Sequence, residues 1–234
     1  MLARGLERAP EFEVRNENDH AAFERFRIRP LPVIRSIVER SKHAYVLFKP
    51  LCDSHRTPEL LDELHTPAHG LAIWTYRGFE GRVRSSIAKF GDSNLRALQR
   101  IEAGEGAGSW QAGGLNDDGF DLIRSLDPRS MSAESGSALF WFLRNSLYFD
   151  LGLDRRPDVM LISYDTMIAE PEAVMGSLCG FLGLPFRRGL IGHIESRKPR
   201  RDRIEIDPVI RERCAALQAA LDESSRNRAS DLAR

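Results

Sequence analysis

The sequence predicts an α/β chain, with a parallel sheet and helices on both of its faces. Three observations predict it. Short apolar runs bounded by polar residues fall at 44–48, 71–75 and 158–163. Longer segments with apolar residues at helical spacing alternate with them. Each run also ends at or just before a side chain able to bind or catalyse, namely Lys49, Arg77 and Tyr164. In open parallel sheets ligands sit beyond the C-terminal strand ends, so these three are expected to face one crevice.

The elements follow in order. Residues 2–8 read as the end of a helix, with Pro10 just beyond it. Residues 20–28 and 31–41 read as helical, broken by Pro30 and Pro32. The first apolar run is a buried strand. Thr57 and Pro58 open a helix through residue 64, since proline suits the first helical position. A strand at 71–75 precedes helices at 80–90 and 93–103. Residues 104–119 are rich in glycine and read as a mobile loop. Leu139, Leu143, Leu147 and Leu151 mark one face of a long helix over 132–151. The third strand is 158–163, followed by a helix over 171–182 that Gly183 closes. Residues 187–203 form a strongly basic loop. Asp207 and Pro208 open a last helix with Ile210, Cys214, Leu217 and Leu221 on its apolar face. The organisation expected is one domain over 1–223 and a polar, fraying tail over 224–234. There is no internal repeat.

Composition narrows the function classes. The 234 residues are 42% hydrophobic, enough for one domain with a sizeable core. Lys+Arg and Asp+Glu number 34 each, so no overall charge favours a nucleic acid or an anionic membrane, and any anion site must be local. Cys52, Cys179 and Cys214 are far apart and odd in number, which supports neither a disulfide framework nor a structural zinc site. A reducing, cytoplasmic setting is the simplest expectation. The sequence has no apolar run of membrane-spanning length and no signal-peptide pattern at residue 1 onward.

The densest chemical signal lies between Trp74 and Phe90. An apolar run leads into Arg77, and Ser85 follows on the amphipathic segment behind it, with Ser86 as the alternative register. Arginine offers a planar fork of donors, serine adds a hydroxyl, and a helix N-terminus adds backbone N–H groups, so the combination can hold a phosphate.

Four pieces then occur in order: Val46-Leu47-Phe48-Lys49-Pro50; Arg77 with Ser85; Leu161-Ile162-Ser163-Tyr164-Asp165-Thr166-Met167 followed by Glu170-Pro171; and Cys179-Gly180-Phe181-Leu182-Gly183-Leu184. As a set, spanning residues 1–222, they resemble the sulfotransferases that use PAPS (3′-phosphoadenosine-5′-phosphosulfate). The third piece resembles that family's Tyr-Glu-x-Leu…Pro signature, with Asp165 for Glu and Met167 for Leu. Similarity is greater to the bacterial carbohydrate-type and tyrosylprotein branches than to the cytosolic small-phenol branch. Leu51 stands where the latter has a histidine, and its Gly-rich C-terminal loop is missing.

The resemblance implies a P-loop-NTPase-like sheet in a three-layer α/β/α fold. In the family, a first strand and a loop that cradles the 5′-phosphosulfate precede the first helix. Residues 1–10 look like the end of that helix, so a chain starting downstream of the strand is expected. The implied reaction moves a sulfuryl group from PAPS, as co-substrate and without a metal, to an acceptor hydroxyl on a glycan, a small alcohol or a tyrosine. Glu17 would be the base, with Asp19 or His55 as substitutes. Lys49 would stabilise the leaving oxygen, and Arg77 and Ser85 would bind the 3′-phosphate. Tyr164 would meet the adenosine end, and Ser196, Arg197 and Lys198 of the basic loop would close over the phosphate. Trp141 and Arg144 are candidates for the acceptor cleft, although core packing and surface charge explain them equally well. A kinase-like nucleotide-binding enzyme of the same architecture and a non-catalytic remnant stay open as alternatives.

Overall fold

A computed structural model describes residues 2–64, 70–106, 108–195 and 204–232. In chain order its elements are α1 (Leu2–Leu6), β1 (Phe12–Arg15), β2 (Phe23–Glu24), β3 (Arg27–Ile28), α2 (Leu31–Arg40), β4 (Tyr45–Phe48), α3 (Thr57–Glu63), β5 (Ala72–Tyr76), α4 (Phe79–Phe90) and α5 (Ser93–Glu102). They continue with α6 (Asp117–Ser125), α7 (Ala133–Asp150), β6 (Val159–Ser163), α8 (Tyr164–Ala169), α9 (Pro171–Phe181) and α10 (Pro208–Leu232). The fold is α/β, as the alternation predicts. Two units divide it. The first holds Met1–Ala72, Thr166–Arg197 and Leu232–Arg234, and the second holds Ile73–Asp165 and Lys198–Asp231.

In the first unit β1 runs parallel to β4, with Phe12 opposite Tyr45 and Arg15 opposite Phe48. The Phe12 and Tyr45 rings stack at 5.0 Å, a cross-strand pair that favours this register. Tyr45 also donates its hydroxyl hydrogen to the Leu182 carbonyl at 2.5 Å, tying β4 to the end of α9. Ala22, Phe23, Ile28, Ile34 and Ile37 form a buried cluster, with Val46, Phe48, Leu60 and Leu64 packed against it. Gly5 lets α1 approach the 188–190 turn, because a β-carbon there would lie 2.5 Å from the Leu190 carbonyl oxygen.

The 20–28 segment is a hairpin of β2 and β3, not the expected helix. Its apolar residues fit either period, and tertiary bonds decide between them. The buried Asp53 carboxylate accepts from the Ile28 N–H and from Arg27 Nε, both at 2.6 Å, which pins β3 in place. The turn that results puts Arg25 and Phe26 at positive φ, 48° and 66°. Strand β1 escapes the hydropathy pattern because Glu13 and Arg15 interrupt its two apolar residues. Those two charges pair with each other, with Arg15 Nε 2.8 Å from Glu13.

In the second unit β5 pairs with β6. Every residue of β6 is buried, as its unbroken apolar run requires. Helix α7 starts at Ser132, whose hydroxyl accepts from the Ser135 N–H at 3.1 Å. Gly136 lets α5 lie against it, since a β-carbon there would come within 2.8 Å of Leu95. Aromatic pairs Trp74–Tyr148, at 6.1 Å, and Phe79–Trp141, at 5.9 Å, link β5 and α4 to α7. Asp207 caps α10 by accepting from the Val209 and Ile210 N–H groups at 2.9 and 3.1 Å.

Two further expectations change. The glycine-rich loop ends early, because Asn116 accepts from the Gly119 N–H at 2.9 Å and starts α6. The tail past Ser224 is helical through Leu232. There Ser225 donates to the Leu161 carbonyl at 3.2 Å and Arg228 to the Val159 carbonyl at 3.1 Å, so strand β6 holds the polar helix that periodicity alone would leave to fray. Among the described residues the strands form three two-stranded sheets, where the sequence predicts one sheet.

Candidate active site

In the first unit, Arg15 ends β1 and Phe48 ends β4, and the Lys49 N–H donates to the Arg15 carbonyl at 3.1 Å. The two parallel strands therefore finish side by side, and the residues that follow face each other. Lys49 Nζ lies 3.3 Å from Glu17 Oε2. The pair is held by charge and not by an aligned hydrogen bond, for Glu17 Oε2 is buried and accepts none. A carboxylate with an oxygen not committed to a donor can take a proton.

The substitutes for Glu17 are placed differently. Asp19 accepts from Arg15 at 2.6 Å and from the Ala21 N–H at 2.8 Å, so both its oxygens serve the turn. Burial alone would raise the Asp19 pKa, but Arg15 and the turn N–H outweigh it and the net shift is downward. His55 lies in the half-buried turn Ser54–Arg56 that leads into α3. Beside it, Asp53 is the buried clip for the hairpin described above.

In the second unit, β5 runs into Arg77, and α4 begins at Phe79. The Arg77 carbonyl accepts from the Trp141 indole N–H at 2.9 Å. Trp141 is therefore a buried support for this turn, not a cleft residue. The Arg77 guanidinium lies over the Tyr164 ring, 5.0 Å from its centre, a cation–π arrangement. It also rests on Gly81, where a β-carbon would be 2.9 Å from Arg77 Nε. The missing side chain at Gly81 makes room for the arginine.

Ser85 is exposed on α4, one turn after Gly81 and on the same helical face as Arg82. It sits nearly two turns into the helix, further from the N-terminus than its spacing from Arg77 suggests. Ser86, the alternative register, is buried and accepts from Asn94 Nδ2 at 2.9 Å, which commits it to packing. Desolvation first, and the charge of Arg77 second, lower the pKa of Arg82, which nevertheless stays cationic. Among the described residues Arg82 has no ion-pair partner. Arg77 in the turn before α4, and Arg82 and Ser85 on its first two turns, thus gather at the start of one helix.

Asp165 completes the cluster. Its Oδ2 accepts from the Gly78 N–H at 2.8 Å, and its Oδ1 lies 3.8 Å from Arg77 Nε. That separation is an ion pair without a hydrogen bond, and Arg77 Nε is buried with no hydrogen-bond partner. Gln218 Oε1 accepts from the Phe79 N–H at 3.0 Å. Side-chain oxygens thus cap the start of α4.

The sequence brings out Glu17, Lys49, Arg77, Ser85 and Tyr164 but not Gly81, Arg82 or Asp53. A signal for Gly81 exists: a glycine four residues after a strand-end arginine, on the first turn of the next helix. Arg144 donates to the Gly113 carbonyl at 2.6 Å and so braces the loop before α6. Ser196, Arg197 and Lys198 lie outside the described residues. In the described part of the basic loop, Arg187 donates to Glu11 Oε2 at 2.9 Å and Arg188 lies 3.4 Å from Glu172.

Among the described residues no group of three His, Cys, Asp or Glu could hold a metal ion, and no helix is long and apolar enough to cross a membrane. Compared with protein-family models, with curated proteins and with solved structures, the chain matches none.

Proposed function

We propose that the chain transfers a sulfuryl group from PAPS to an acceptor hydroxyl, on a P-loop-like α/β scaffold. One observation carries the reading: Glu17 and Lys49, at the adjoining ends of two parallel strands, are 3.3 Å apart. The chemistry needs a base and a cation, because a neutral hydroxyl is a poor nucleophile and the departing phosphate gains charge. Glu17 takes the acceptor's hydroxyl proton. The acceptor oxygen forms its bond to sulfur as the bond from sulfur to the 5′-phosphate oxygen breaks. That oxygen keeps the electron pair, and the Lys49 ammonium stabilises it. The products are the sulfated acceptor and adenosine 3′,5′-bisphosphate.

The second unit supports the nucleotide half of the reading by itself. Arg77 has an Nε–H with no hydrogen-bond partner, and Ser85 is an exposed hydroxyl on the following helix. Both suit a phosphate monoester. Tyr164 offers a ring, and the guanidinium above it fixes its orientation.

The test combines titration of adenosine 3′,5′-bisphosphate with an assay for transfer of labelled sulfuryl from PAPS. The acceptors are a nitrophenol, an N-acetylglucosamine oligomer and a tyrosine peptide. Binding that Arg77→Ala abolishes, with transfer to at least one acceptor, is the expected result. A folded protein that neither binds the bisphosphate nor transfers label overturns the reading.

A further inference from the structure

The Arg77 turn already contains an anion, and that anion belongs to the protein. The Asp165 carboxylate bonds the Gly78 N–H at 2.8 Å and stands 3.8 Å from Arg77 Nε. A β-carbon on Gly78 would come within 3.0 Å of Asp165 Oδ2, so glycine is what admits the carboxylate so near the backbone. These donors, a backbone N–H at a helix start and an arginine, are the ones a phosphate oxygen would use. Yet the carboxylate leaves the site half satisfied. Arg77 Nε has no hydrogen-bond partner, and Arg82, whose pKa Arg77 helps to depress, has no ion-pair partner among the described residues. One negative charge sits beside Arg77, and the charge of Arg82 is near enough to Arg77 to be felt there.

We propose that Asp165 is a resident competitor, which an incoming phosphate must displace from the Gly78 N–H and from Arg77. The site is thereby set against singly charged anions and in favour of a dianion. A dianion gains from both Arg77 and Arg82, whereas a singly charged anion only replaces one carboxylate with another. The Asp165 side chain is 56% exposed, so it can swing outward into water. The proposal rests on reading the Arg77 turn as an anion site, but not on sulfuryl transfer.

Asp165→Asn separates competition from support. The amide oxygen can still accept from the Gly78 N–H, so the cap on α4 is kept while the charge is lost. Titrations of inorganic phosphate and of adenosine 3′,5′-bisphosphate into the full chain and the variant should show about five-fold tighter binding of both to Asp165→Asn at low salt, with the gain shrinking as salt rises. In both proteins the arginine Nε–H signal that Arg77→Lys removes should shift on phosphate addition. Unchanged or weaker phosphate binding by a folded Asp165→Asn protein overturns the proposal and makes Asp165 a support for Arg77. Absence of phosphate binding in both proteins overturns it as well. Tighter phosphate binding with no preference for the bisphosphate keeps the competitor and removes the nucleotide reading of the site.

Discussion

Lys49 Nζ and Glu17 Oε2 stand 3.3 Å apart because β1 and β4 end side by side, and each residue lies just past its strand. The pair is partly exposed, so its worth to stability is small, about 0–1 kcal/mol. Substitution should therefore separate chemistry from folding. Glu17→Gln should lower the transfer rate about 10²- to 10⁴-fold. Lys49→Met should lower it about 10²- to 10³-fold. Both should keep melting temperature and bisphosphate affinity near the parent values. Transfer within a few-fold of the parent by Glu17→Gln would remove Glu17 as base.

Gly81 gives a test with opposite signs for stability and binding. A β-carbon there meets Arg77 Nε at 2.9 Å and its terminal nitrogen at 3.2 Å, the movable end of a flexible side chain. Gly81→Ala should displace the guanidinium while α4 gains about 0.5–1 kcal/mol from alanine's helix propensity. Calorimetry should show an unchanged or higher melting temperature, and titration a weaker affinity for adenosine 3′,5′-bisphosphate. Undiminished affinity would mean that Arg77 does not bind the ligand from this position.

Asp53 holds the hairpin by two bonds of 2.6 Å and is fully buried. Asp53→Ala would leave the Ile28 N–H without its acceptor and cost about 2–3 kcal/mol in chemical denaturation. Asp53→Asn, which keeps one acceptor oxygen, should cost less. Equal losses for the two would show that the charge, not the acceptor, matters.

Gly136 sets the spacing of α5 and α7. A β-carbon would lie 2.8 Å from both Cβ and Cδ1 of Leu95, against a packed core. Gly136→Ala should destabilise the protein by about 1–3 kcal/mol despite alanine's better helix propensity. Pairing it with Leu95→Ala should recover part of that loss. The second substitution removes the Cδ1 contact and, with the smaller side chain, lets α5 shift away from the Cβ contact, so additivity would count against this packing.

Acid should weaken the first unit in a defined window. The Ser41 hydroxyl, donating to Glu13 at 2.5 Å, and Arg15 after it hold the Glu13 carboxyl below its ordinary value of 4.5. Asp19 is held below 3.8. A carboxyl depressed in the folded state contributes stability above its unfolded pKa and loses it as pH falls through its folded one. Unfolding followed from pH 7 downward should show stability falling below pH 4.5. Ser41→Ala should cost about 1 kcal/mol at pH 7 and progressively less toward pH 2. A cost independent of pH would mean that Ser41 acts through the end of α2, not through Glu13.

Elements whose own residues settle their period were legible in the sequence. Strand β6 is an unbroken apolar run, α7 carries leucines at helical spacing, and α10 opens on Asp207 and Pro208. The same local rules gave Lys49, Arg77 and Tyr164 as residues at strand ends. Tertiary structure decided the rest, wherever the preference of a segment was divided. Residues 20–28 could form a helix or a hairpin, and a carboxylate at Asp53 chose the hairpin. Strand β1 has too few apolar residues to announce itself, and pairing with β4 made it a strand. Glu17 was one acid among several in a polar loop until that pairing set it against Lys49. Asp165 read as a motif variant, and only the fold put its carboxylate on the Gly78 N–H, beside Arg77. The reason is common to all four. A sequence states what each segment prefers over a few residues, while the partner of a buried or charged group comes from far along the chain.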